Sequence, residues 1–111
     1  MTLPRQPHQR GLLTAAATLL LLLAQPSAHA QDAALARNLA ATCANCHGTQ
    51  GHARGDMKVL AGLSAERIVA AVSDYRNGTL PSTIMQQIAK GYTDEQVRMI
   101  AGYFVAQPPK Q

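Results

Sequence analysis

The sequence lacks the features that define several common classes of protein. It has no alternating apolar pattern long enough for a β-strand and no internal repeat. Its basic residues are scattered, with no arginine-rich stripe of the kind that binds nucleic acid. These absences exclude a sheet-based fold and a nucleic-acid partner. They leave one small helical domain as the prediction for a chain of 111 residues.

The first part of the chain has the pattern of a secretory signal peptide. Two arginines and no acidic residue precede an apolar run over residues 11–24, and Ala28 to Ala30 form a small-residue cleavage site. The run is shorter than the ~20 residues that a membrane-spanning helix needs, so an uncleaved anchor is the less favoured alternative. We predict a signal peptide at 1–30 and a domain at 31–111. The domain would then be periplasmic, without stable membrane insertion.

Apolar residues recur at helical spacing in four stretches after residue 31. The first begins at Asp32 as N-cap and carries Leu35, Leu39 and Cys43 on one face. Residues 47–62 are punctuated by glycine and are predicted to form a loop. The other stretches are a helix over 64–77 ended by Gly78, a short helix over 84–90 closed by Gly91, and a last helix from Thr93 to Pro108.

The last helix has the strongest pattern. Thr93 and Gln96 form a capping box, and Asp94 and Glu95 suit the positive end of a helix. Its apolar stripe consists of Val97, Ile100, Ala101, Phe104 and Val105. The sequence therefore predicts an all-α fold with three main helices and one short helix.

The chemistry is concentrated at the end of the first predicted helix, where residues 43–47 read Cys-Ala-Asn-Cys-His. Positions i and i+3 project on one side of a helix, so the sulfurs of Cys43 and Cys46 can reach the two vinyl groups on one porphyrin edge. His47 would ligate the iron as the proximal imidazole. This C-x-x-C-H sequence occurs once, and it predicts one covalently attached haem c.

Three other interpretations of the two cysteines are less favoured. A thioredoxin-like redox pair would lie in a βαβ context, whereas the neighbouring sequence is helical. A structural zinc site needs four ligands, and the predicted domain offers only Cys43, Cys46, His47 and the nearby His52. A plain disulfide would leave the adjacent histidine without a role.

A methionine sulfur is the expected second axial ligand, because it suits low-spin haem and raises its potential towards that of electron carriers. Met85 follows His47 by 38 residues, enough chain to reach the opposite face of the ring. Met57 follows after only ten residues, and Met99 lies within the last helix, where methionine usually packs. We predict Met85 as the ligand, with Met57, His52 or an open site as alternatives.

Together these features resemble those of a small class I cytochrome c over residues 31–107. The resemblance implies that the first and last helices cross, and that the function is electron transfer. The apolar residues expected at the crossing are Leu35 and Leu39 on one helix and Ile100, Tyr103 and Phe104 on the other. Besides the covalent and axial ligands, the residues predicted to contact the haem are Leu60, Leu63, Tyr75, Arg76 and Tyr92.

A narrower set of motifs is similar to the cytochrome subunit of flavocytochrome c sulfide dehydrogenase. The matching stretches are Leu60 to Leu63, Tyr75 to Gly78, Ser82 to Met85 and Ile88 to Glu95. In that family the haem subunit accepts electrons from a flavoprotein that oxidises sulfide, so the resemblance implies an exported flavoprotein as redox partner. A free-standing carrier between a dehydrogenase and a terminal oxidase or reductase stays open, as does a ligand-binding or peroxidatic haem protein.

One position departs from the class I pattern. The family usually has a proline two residues before the leucine that matches Leu60, and this neighbourhood supplies a carbonyl to the second nitrogen of the ligating histidine. Lys58 occupies the proline position. We therefore expect a backbone carbonyl between Asp56 and Val59 to orient His47.

Overall fold

The computed structural model describes residues 28–109, which contain four α-helices, one 3₁₀ turn and no strand. The elements are α1 (Ala28–His47), the 3₁₀ turn (Thr49–Gly51), α2 (Ala65–Asn77), α3 (Met85–Lys90) and α4 (Asp94–Val105). The predicted all-α fold is confirmed. Most of the predicted signal peptide lies outside the described residues. None of the described helices is both long and apolar enough to cross a membrane.

Helix α1 is longer than the sequence pattern predicts. It begins at Ala28 rather than after Asp32, so the prediction of Asp32 as N-cap is wrong. The reason is local composition, since alanines dominate this stretch and alanine has the highest helix propensity. At its other end α1 extends through His47, so the whole C-x-x-C-H motif is helical. Gly48 follows with a φ of 81°, which ends the helix.

The predicted ends of α2 and α4 are confirmed. The Ser64 hydroxyl accepts a hydrogen bond from the backbone N–H of Arg67, and Gly78 leaves α2 in the left-handed conformation with a φ of 77°. Thr93 and Gln96 form the reciprocal capping box at the start of α4. These boundaries follow from residues within one helical turn, which is why the sequence predicts them well.

The core lies where α1, α2 and α4 meet, and Phe104 at its centre is 0% exposed. The buried cluster consists of Ala40, Ile68, Ile100, Ala101 and Phe104. Leu39 and Tyr103 pack against this cluster as predicted. Leu35 and Val105 do not, since they are 46% and 45% exposed. Leu35 lies one turn before Leu39, a residue at which α1 meets the core. Val105 is rotated by about 100° from Phe104 on the surface of α4.

The loop between α1 and α2 is attached to this core through Gly51. The Gly51 carbonyl accepts hydrogen bonds from the N–H groups of Leu60 and Ala61, and the Gly62 N–H donates to the carbonyl of Phe104. Gly51 has a φ of 81°, and a Cβ there would lie 2.8 Å from the Phe104 ring. Glycine is therefore required for the loop to return beneath the end of α1.

Candidate haem-binding site

The end of α1 presents both cysteines and the adjacent histidine. Cys43 is half-buried against the core, Cys46 is exposed, and both thiols are free in the described structure. Burial raises the pKa of the Cys43 thiol, an effect partly opposed by a backbone hydrogen bond. The motif lies at the end of a helix, and the described residues contain no strand, so the βαβ context of a thioredoxin-like redox pair is missing there. This disfavours the redox-pair alternative.

His47 is buried and held by the returning loop. Its Nδ1 lies 2.7 Å from the backbone carbonyl oxygen of Lys58. Because a carbonyl can only accept, Nδ1 carries the proton and Nε2 keeps its lone pair for a metal. The expected carbonyl between Asp56 and Val59 is thus confirmed and assigned to Lys58, so this bond does not depend on the family's proline.

Met85 shares a small apolar pocket with Cys43. The helices α1, α2, α3 and α4 and the link between α3 and α4 all contribute to its wall. The lining residues are Cys43, Val72, Met85, Ile88, Ala89, Tyr92, Val97 and Ile100. The fold thus brings together the predicted thioether cysteine and the predicted distal ligand, which are far apart in the sequence. The cavity, at about 30 Å³, is too small to contain a haem, but its soft sulfur and apolar walls would suit contact with one edge of a haem better than a hard metal ion.

Comparison with known proteins identifies the family. The cytochrome subunit of sulfide dehydrogenase from Chlorobaculum tepidum is 44% identical over 66 residues, which cover 60% of this chain and 60% of that protein. Cytochrome c-554(548) from Halomonas halodenitrificans is 33% identical over 82 residues, which cover 70% of this chain and 99% of that protein. The chain is a c-type cytochrome.

The fold agrees with this assignment. A solved cytochrome c4 structure from Acidithiobacillus ferrooxidans matches with a TM-score of 0.59 and 30% identity, covering 66% of this chain and 50% of that one. The predicted class I fold is therefore confirmed. No family model matches the chain. The match to the Chlorobaculum subunit spans less than two thirds of that protein's length.

The cytochrome also exposes apolar side chains in two segments, one around Lys58, whose carbonyl bonds His47, and one just before Met85. Met57 and Val59 adjoin Lys58, and Leu80 and Ile84 precede Met85. Ile84 is 58% exposed, although isoleucine is usually buried. A large apolar group ligated by His47 and Met85 would adjoin both segments, so these residues fit a haem. Sequence reasoning did not predict a haem contact for Val59, Leu80 or Ile84, although Val59 follows Lys58 and Ile84 precedes Met85.

The other predicted haem contacts fall into two groups. Tyr92 lies on the pocket wall with Met85. Leu60 and Leu63 pack against the helix core, and Tyr75 is half-buried on α2 but does not line the described pocket. Contact between any of these four residues and the haem stays a prediction.

Arg76 makes three hydrogen bonds to protein atoms. Its guanidinium donates to the carbonyls of Ala89 and Tyr92, at 3.2 and 3.0 Å, and to the Asp94 carboxylate at 2.5 Å. The cation beside it lowers the pKa of the Asp94 carboxyl. Contact between Arg76 and the haem also stays a prediction. The described hydrogen bonds of Arg76 connect α2 to the end of α3 and to the start of α4.

The alternative ligands lie elsewhere. Met57 is exposed in the loop, and Met99 lies within α4. His52 lines an open groove with Arg54 and Pro108, away from the pocket of Met85. Its Nδ1 is buried and has no hydrogen-bond partner among the described residues. The geometry therefore favours Met85 over the other candidates for the second axial position.

Proposed function

We propose that this cytochrome is a periplasmic electron-transfer protein with one haem c, attached to Cys43 and Cys46 and ligated by His47 and Met85. The observation that carries the proposal is the hydrogen bond from His47 Nδ1 to the Lys58 carbonyl. It leaves Nε2 unprotonated next to the two cysteines, and it limits rotation of the ring. Such an outer bond is the usual companion of a ligating histidine.

The distal side supports the same function. The haem, when bound, supplies a one-electron couple, and the protein controls its potential and access. Met85 would occupy the second axial position with a neutral, soft sulfur, which favours the ferrous form. If His47 and Met85 both hold the iron, the chain would leave no position open for small ligands. This separates an electron carrier from a ligand-binding or peroxidatic haem protein, which needs an open position.

The partner proposed here is an exported flavoprotein that oxidises sulfide. The support is the identity of 44% with a sulfide dehydrogenase cytochrome subunit, together with the sequence motifs that follow Leu60. A free-standing carrier is the second candidate, because the chain also covers nearly all of the Halomonas cytochrome. The two candidates share the haem site and differ only in the protein that delivers the electron.

The test uses the full chain, expressed with its own N-terminus in a host that exports and attaches haem. Mixing the ferric protein with sulfide and a candidate exported flavoprotein should produce the ferrous spectrum rapidly. Sulfide alone and flavoprotein alone are the controls. Equal reduction rates with and without the flavoprotein would reject the proposed partner and favour the free-standing carrier.

The same expressed protein also tests the predicted export. N-terminal sequencing of the periplasmic fraction should find cleavage after Ala30. Recovery of the uncleaved chain in the membrane fraction would instead support the anchor alternative. Cleavage there would remove Ala28 to Ala30, the first three residues of α1 in the full chain.

A further inference from the structure

We infer that Arg76 is a positioning residue that holds Met85 in place through the backbone of the pocket wall. The inference rests on the proposed ligation by Met85. It assigns Arg76 a function that acts through protein atoms, in contrast to the sequence-based expectation of direct haem contact.

Helix α3 needs such support because it is short and weakly capped. It has six residues, and the described N-cap residue Ile84 makes no side-chain capping bond. Ser82 partly compensates, since its hydroxyl accepts a hydrogen bond from the Gln86 N–H at 3.1 Å. Helices far shorter than about 12 residues are not stable alone in water. The position of Met85 at the start of α3 therefore depends on tertiary contacts.

Arg76 supplies these contacts at the other end of α3. Its Nε donates to the carbonyl of Ala89 near the end of α3, a carbonyl that also accepts a long hydrogen bond of 3.5 Å from the backbone N–H of Tyr92. Its positive charge also lies at the negative end of the helix dipole. Ala89 is buried and follows Met85 by four positions, so both lie on the same face of α3. A restraint on the Ala89 carbonyl therefore also restrains Met85, which lies one turn earlier in the same short helix.

The remaining bonds of Arg76 extend this support to α4. The guanidinium donates to the carbonyl of Tyr92, and Tyr92 and Ala89 both line the pocket that contains Met85. It also pairs with Asp94 in the first turn of α4, where a carboxylate is favourable. One side chain on α2 therefore joins the end of α3 to the start of α4. A lysine would keep the positive charge, but its ammonium group could not replace the planar fork of N–H donors of the guanidinium.

The experiment compares three variants of the haem-loaded full-length protein. Arg76→Lys keeps the positive charge but loses the planar fork of donors. Asp94→Asn removes the carboxylate charge, both from the ion pair and from the first turn of α4. Arg67→Lys is the matched control, because Arg67 is an exposed arginine on the same helix. Two quantities are measured: the rate at which carbon monoxide binds the ferrous protein, and amide hydrogen exchange over residues 85–92.

If Met85 ligates the iron, carbon monoxide can bind only after Met85 has dissociated. The rate of carbon monoxide binding therefore reports how often α3 moves away from its described position. We expect Arg76→Lys to bind at least about tenfold faster than the wild type, because the variant loses at least one of the bonds to the carbonyls of Ala89 and Tyr92, and a bond from a charged donor is worth a factor of about ten or more. Asp94→Asn should bind about two- to threefold faster, since exposed ion pairs contribute little. Arg67→Lys should match the wild type, and hydrogen exchange should follow the same order.

Equal rates for Arg76→Lys and Arg67→Lys in both measurements would overturn the inference. If Arg76→Lys does not fold, Arg76→Gln carries the test, because its side chain loses both the charge and the fork of donors. Wild-type values for Arg76→Gln in both measurements would overturn the inference. Wild-type carbon monoxide binding as fast as that of Met85→Ala would mean that the ligation itself is wrong. In that case hydrogen exchange alone still reports whether Arg76 holds α3.

Discussion

The two sides of the candidate haem site are built differently. On the His47 side, a buried imidazole is bonded to the Lys58 carbonyl, and the loop that carries Lys58 is tied to the core through Gly51. On the Met85 side, a six-residue helix follows an exposed segment and is held by side chains of its neighbours. The difference indicates that His47, the proposed proximal ligand, is fixed by the fold, whereas Met85, the proposed distal ligand, depends on a few tertiary bonds.

The largest effect is expected from Gly51→Ala, because this change disturbs the loop that carries Lys58 and so tests whether the His47 side is fixed by the fold. The new Cβ would lie 2.7 Å from the Ala61 nitrogen and 2.8 Å from Phe104 Cδ1, at a φ of 81°. Overpacking and the left-handed backbone should together cost about 2–4 kcal/mol of unfolding free energy. Denaturant titration followed by circular dichroism measures this loss.

Gly55→Ala is the matched control for that change. Gly55 also has a positive φ of 61°, but no described atom lies within 4 Å of its Cβ position. It should lose only about 1 kcal/mol, the cost of the backbone conformation. Equal losses for the two variants would show that Gly51 is not packed against the core as described.

On the distal side, Met85→Ala should leave most of the stability and change the redox chemistry. The half-buried side chain contributes about 1–2 kcal/mol, less than a fully buried methionine. The ferric sulfur-to-iron charge-transfer band should disappear, and the potential should fall by on the order of 0.1 V or more. Absorption spectra and redox titration measure both effects.

Met57→Ala is the control for the ligand assignment, because Met57 is an exposed methionine of the proximal loop. Its spectrum and potential should remain those of the wild type. The opposite result, with the band lost in Met57→Ala and kept in Met85→Ala, would transfer the distal role to Met57.

The smallest effect expected concerns acid pH and the pair of Arg76 and Asp94. The hydrogen bond and charge of Arg76 lower the pKa of Asp94 in the folded chain, so the unfolded chain binds the proton more readily. The stabilising contribution is therefore fully present above about pH 5. It is lost as the pH falls below ~4, through the lowered pKa.

Asp94→Asn isolates this contribution. The difference in unfolding free energy between wild type and variant should be constant near neutral pH and should shrink steadily on acidification. A difference that stays constant down to about pH 2 would contradict the assignment, since an intact ion pair must lose its charge on the carboxyl side.

Much of the fold was predictable because its signals are local. Ser64, Gly78 and the capping box of Thr93 and Gln96 mark helix ends through residues a few positions apart, and all are confirmed. The prediction failed at Asp32, where an alanine-rich stretch continues the helix past a possible cap. It also failed at Leu35 and Val105, whose helical spacing suits the core although the neighbouring helices do not cover them.

The sequence by itself determined the helical elements and the C-x-x-C-H motif, because both depend on the identity and spacing of nearby side chains. Only the tertiary structure decided that the Lys58 carbonyl bonds His47, since every residue has a carbonyl and none leaves a signal in the sequence. The tertiary structure also placed Cys43 and Met85 on one pocket wall, and it directed Arg76 to the carbonyls of Ala89 and Tyr92. Such contacts join residues distant in the chain, and they form only when the helices pack together.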